Sequence, residues 1–149
     1  MKDKVAPLEA EDKENAPNSP KAPEYDPQEL LAIFDEILFS GVYEEPITIK
    51  GKLKVVFRSR TAADTTEITK EMDSTPFNLI SSYQEKRAFL NVVYSLVSFN
   101  GKSLGEVPIP ERKTFLGVLP AVVIASLSDA LVKFDKKVDA ACREGDENF

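Results

Sequence analysis

The stretch Ala88–Phe99, AFLNVVYSLVSF, is the densest apolar run in the chain, and Asn100-Gly101 stops it abruptly. Tyr83, Leu90, Val93, Tyr94 and Val97 recur at three- and four-residue spacing. Phe89, Val92, Leu96 and Phe99 widen the apolar stripe past half the circumference. A helix apolar over so much of its surface has to be central, with the rest of the chain covering it. The spacing predicts a helix from Phe77 or Asn78 to Phe99, about 33 Å long at 1.5 Å per residue. Asn100-Gly101 reads as its C-terminal stop rather than as a hairpin turn, because Lys102-Ser103-Leu104-Gly105 offers no alternating arm.

The elements before this helix carry local signals. Asp26-Pro27-Gln28-Glu29 combines an N-cap, a proline at the first helical position and an acid three residues after the cap. Leu30 or Leu31, Phe34, Ile37 and Leu38 mark one face, and Ser40-Gly41 ends the helix. From Pro46 the period changes to two: Ile47, Ile49, Gly51, Leu53, Val55 and Phe57 alternate with Thr48, Lys50, Lys52, Lys54, Val56 and Arg58. Gly51 either bends one long strand or turns a hairpin with arms Ile47–Ile49 and Leu53–Phe57, and the hairpin is slightly preferred. No third strand is evident, and an open two-stranded sheet is marginal unless helices pack on it or another chain extends it. Binding by edge pairing is therefore expected here. The candidate partner-binding residues are Lys50, Lys52, Lys54, Val56, Arg58 and Arg60, a cationic row suited to an acidic partner, although edge lysines also guard against aggregation.

Thr61-Ala62-Ala63-Asp64 has the form of a capping box opening a surface helix that ends near Pro76. Pro110 opens a short helix, Glu111 to about Val118, and Leu119-Pro120 breaks before the last helix. There Val123, Leu127, Ala130 or Leu131, Phe134 and Val138 form the buried face, expected to pack antiparallel to the central helix, and Gly145 closes it. The fold class is mainly α with a small β element (α+β): four to five helices with a β-hairpin or single long strand near residues 46–58. Residues 1–24 form an acidic, proline-rich arm too poor in apolar groups to order by itself. Residues 25–144 form one mostly helical domain, and 145–149 a short tail.

Composition removes several function classes. There is no histidine, so the commonest general base and metal ligand is missing, as is every Ser-His or Cys-His pairing. Cys142 is the single cysteine, which excludes an intramolecular disulfide and a CxxC metal site. No phosphate, dinucleotide or metal-loop motif occurs, so no catalytic residue, cofactor or metal is assigned and no enzyme is expected. A net charge of −6 does not fit a nucleic-acid ligand. The charged sequence Met1–Glu14 lacks the apolar core of a signal peptide, and no run suffices for a membrane span, so a cytosolic chain is expected.

Taken in order, KVVFRSRTAAD, YSLVSFNGKSL, PERKTFLGVLP and KFDKKV make the region from about Ile47 to Val138 resemble small proteins encoded in tailed-bacteriophage tail operons. The resemblance is to the tail assembly chaperones and, less closely, to some baseplate components. It implies a binding role in the host cytoplasm: association with the tape measure protein, recruitment of tail tube protein, and absence from the finished particle. Chaperones of this family often also occur in a longer, frameshifted form. The resemblance carries no catalytic residue. The competing expectations are a structural baseplate, tail or connector subunit contacting neighbouring subunits in the virion, and a small acidic regulatory or anti-host protein. Homo-oligomerisation is compatible with each.

Overall fold

The computed structural model describes residues 25–74 and 80–147, so the acidic arm at 1–24 and the expected start of the central helix lie outside the described residues. The elements run α1 (Pro27–Ser40), β1 (Glu44–Ile49), β2 (Leu53–Arg58), α2 (Ala62–Asp73), α3 (Ile80–Ser95), β3 (Leu96–Phe99), β4 (Lys102–Ser103), α4 (Ile109–Gly117) and α5 (Ala121–Glu147). The fold is α+β and mainly helical, as expected, but the sheet has four antiparallel strands in the order β1-β2-β3-β4.

Local chemistry explains the first helices. The Gln28 N–H donates to Asp26 Oδ1 at 3.1 Å, Pro27 needs no partner in the first turn, and Gly41 takes the left-handed conformation that closes α1. At α2 the capping box is complete: Asp64 N–H donates to Thr61 Oγ1 (3.1 Å) and Thr61 N–H to Asp64 Oδ2 (2.9 Å). In α1 the buried residues are Leu30 and Ile33, while Leu31 and Leu38 are exposed, so the inward face is rotated from the expected one. The β1-β2 connection is a hairpin, with Lys50 and Gly51 both at positive φ.

The central stretch departs most from its expected form. The helix ends at Ser95, and Leu96–Phe99 continues as a strand paired with β2. Asn100-Gly101 is then the two-residue turn of a second hairpin: both have positive φ, and Phe99 faces Lys102 across it. Asn-Gly is the pair such a turn favours, because both central residues need the left-handed region. The arm after it is only Lys102-Ser103, too short to alternate visibly, and Leu104 returns to the core fully buried. At the helix-to-strand junction every residue from Val92 to Leu96 is buried, which accounts for the breadth of the apolar stripe.

That junction leaves the last carbonyls of α3 without following helical donors. Arg112, on α4 and 8% exposed, supplies one: its guanidinium donates to Val93 O (3.1 Å), Val107 O (2.9 Å) and Gly105 O (3.4 Å). Burial, then the neighbouring Arg58 charge, lower its pKa from the ordinary arginine value. A cation near a helix C-terminus also opposes the negative end of the helix dipole.

Around this junction lie Val55, Phe57, Ile68, Met72, Leu116, Leu127, Leu131 and Phe134, all but fully buried. Each such side chain contributes about 1.5–3 kcal/mol relative to exposure. The Phe134 ring on α5 stacks on Tyr43 (centroids 6.0 Å apart) and tilts against Phe57 on β2 (5.9 Å), fixing α5 to the sheet. Ala121, Ile124 and Ala125, early in α5, line a cleft with Glu85, Ala88 and Phe89 of α3, while Arg60 joins Ser95 at the end of α3 to Asp135 later in α5. Early turns meet early turns, so α5 runs in the same direction as α3 rather than antiparallel, because the β3-β4 hairpin and α4 carry the chain back. Gly145 does not end α5, which continues to Glu147 across the expected tail.

Candidate protein-binding groove

The edge-pairing expectation for Lys54, Val56 and Arg58 does not survive the third strand. They sit on β2, which pairs with β1 on one side and β3 on the other, leaving it no open edge. Lys50 and Lys52 belong to the hairpin turn and are exposed, as is Lys54; Val56 is half-buried. Arg58 pairs with Asp64 at 2.9 Å, and Arg60 pairs with Asp135 at 2.8 Å while donating to Ser95 Oγ at 2.6 Å. These two arginines tie the start of α2 and the middle of α5 to the end of the sheet.

Two strands lack a second neighbour among the described residues, β1 and the two-residue β4, and β1 is much the longer edge. Ser59 N–H donates to Tyr43 O at one end of its ladder with β2, and on the far side of β2 the Asn100 N–H donates to Lys54 O. By the two-residue period, Glu45, Ile47 and Ile49 aim their backbone groups at β2, while Glu44, Pro46 and Thr48 aim theirs outward. Pro46 thus stands where its missing N–H leaves no ladder bond unmade, the placement that an edge strand tolerates.

Beside this strand lies a groove of about 810 Å³ between β1 and α5. Ile47, Ala130 and Phe134 give it an apolar floor, Thr48 and Ser126 add hydroxyls, and Tyr25 lines it where the chain enters α1. Lys50, Lys133, Lys136 and Lys137 supply cations against the carboxylates of Glu45 and Asp129. Lys137 is already engaged, with Glu45 Oε1 at 2.9 Å and Glu29 Oε2 at 3.0 Å, and so clamps α1, β1 and α5 together. Its burial opposes the charge, but the bonds to Glu45 and Glu29 outweigh that and raise its pKa. The Tyr43 hydroxyl donates to Glu45 Oε1 at 2.8 Å; burial first, and that bond second, push its pKa up to about 12. Lys50, Lys133 and Lys136 remain exposed.

Of the expected binding residues, only Lys50 lines this groove. Lys133, Lys136 and Lys137 were not among them, although their spacing puts all three on one face of a helix. Chemically the groove can hold an extended segment: outward backbone groups on one wall, an apolar floor, and a cationic rim.

Among the described residues no group of three or more His, Cys, Asp or Glu side chains is placed to hold a metal ion, and no helix is long and apolar enough to cross a membrane. No protein-family model, curated protein or solved structure matches the chain.

Proposed function

We propose that this chain is a non-enzymatic protein-binding module that takes up an extended segment of another protein between β1 and α5. The observation carrying this is the coincidence of an edge strand, an apolar floor and exposed rim lysines along one groove. Within that class, the resemblance of its segment order to that of tail-operon proteins favours a tail assembly chaperone working in the host cytoplasm. The bound segment would come from the tape measure protein, and tail tube protein would be recruited while the complex lasts. An edge strand shortened in hydrogen-bonding capacity by Pro46 suits reversible rather than permanent pairing.

The test is co-expression of the full chain with the tape measure protein of the same tail operon, comparing wild type with K133E/K136E. Co-purification that the double variant reduces at least tenfold, with its circular dichroism unchanged, supports the reading. Equal capture by both chains, or no capture by wild type, overturns it.

A further inference from the structure

The groove has a candidate occupant within the chain itself. Tyr25, the first described residue, lines the groove and also packs against the α1–α5 cluster of Leu30, Ile33 and Ala141. The described residues therefore begin at the groove. The sequence before Tyr25 carries the acidic run Glu9-Ala10-Glu11-Asp12-Lys13-Glu14, preceded by Leu8. The rim opposite carries Lys50, Lys133 and Lys136, whose ammonium groups have no carboxylate within ion-pair distance among the described residues.

The dimensions agree. From Glu44 to Ile49, β1 spans about 17 Å at ~3.4 Å per residue. From Ser126 to Lys137, α5 spans about 16 Å at 1.5 Å per residue. Glu9 to Glu14, extended, also covers about 17 Å, and the connection from Glu14 to Tyr25 can reach about 35 Å. A tether of that length would give the acidic run an effective concentration on the order of millimolar at the groove, so weak contacts would suffice.

From this we infer that residues Glu9–Glu14 occupy the β1–α5 groove intramolecularly, acidic side chains against Lys50, Lys133 and Lys136, and compete with an incoming partner segment. The inference rests on the groove being the protein-binding site proposed above, and it adds regulation: a partner must displace the chain's own acidic run.

The experiment uses the full chain, wild type and E9Q/E11Q/D12N/E14Q, labelled with nitrogen-15. Amide signals of Ile47–Lys50 and Lys133–Lys137 are compared between the two proteins, at low and high salt and across a tenfold dilution. The inference expects these signals to move in the variant, to move the same way in wild type when salt screens the charges, and to be indifferent to dilution. Identical groove signals in both proteins overturn it. A difference that vanishes on dilution also overturns it, showing a second copy in the groove. Tape measure capture is measured on the same variant and should strengthen. Unmoved groove signals with capture still dependent on Lys133 and Lys136 remove the intramolecular competitor alone; capture indifferent to those lysines removes the proposed function.

Discussion

Replacing Arg112 with methionine tests how the central helix is converted into a strand. The buried guanidinium makes two good hydrogen bonds, to Val107 O at 2.9 Å and Val93 O at 3.1 Å, and a long one to Gly105 O at 3.4 Å. Methionine keeps most of the stem's packing but donates nothing. Leaving the two well-bonded carbonyls unsatisfied costs about 1–3 kcal/mol each, and release from burying an arginine charge returns part of that. The expected net loss is about 2–4 kcal/mol, or roughly 6–12 °C in Tm for a chain of this length at about 3 °C per kcal/mol. Arg112→Lys should recover less than half, because one ammonium cannot face carbonyls contributed by α3 and by both ends of the loop before α4. Urea denaturation followed by circular dichroism, with thermal melts alongside, reads the effect. A loss below about 0.5 kcal/mol for Arg112→Met would refute the reasoning, since the α3 terminus would then be satisfied without this side chain.

Other consequences follow from the same contacts. Thr61→Ala removes one half of the capping box and should cost about 1 kcal/mol in urea denaturation, whereas Thr66→Ala, on the exposed side of α2, should be near neutral. The raised pKa of Tyr43, about 12 against an ordinary 10.0, favours the folded state while the phenol is protonated. Its contribution is complete below pH 10 and is lost as pH rises toward 12; the raised pKa of Lys137 acts in the same direction. Tyr43→Phe should therefore flatten the fall of stability between those values, and a fall as steep as wild type would contradict the assignment. If the chain is an assembly chaperone, mass spectrometry should find it abundant in infected-cell lysate and missing from purified particles; stoichiometric presence in particles would make it a structural subunit.

What could be read ahead of the structure was what local chemistry decides. Asp26, Pro27 and Gly41 bound α1, and Thr61 with Asp64 starts α2, because each signal acts within a few residues. Alternation placed Ile49, Val55 and Phe57 inward on the hairpin, where they are buried. The helix-to-strand change at Ser95–Leu96 was hidden because its residues are buried on all sides, which erases both periods at once. The second hairpin was missed for a related reason: Asn100-Gly101 signals the turn, but the strand it leads to is two residues long and makes sense only against β3. The groove depends on contacts between distant parts of the chain, such as Glu45 with Lys137, and no local pattern encodes them. The lysine face of α5 was legible in its spacing; its position opposite an edge strand was not.

Hydrogen exchange on the full chain, alone and mixed with the tape measure protein proposed as its partner, examines the groove most directly. The account predicts slowed exchange at the outward-facing amides Glu44 and Thr48 and along Ser126–Lys137, with the exposed face of α1 around Leu31 and Leu38 unchanged. Slowing at Leu31 and Leu38 with Glu44 and Thr48 unaffected would contradict it, placing the partner on α1 instead.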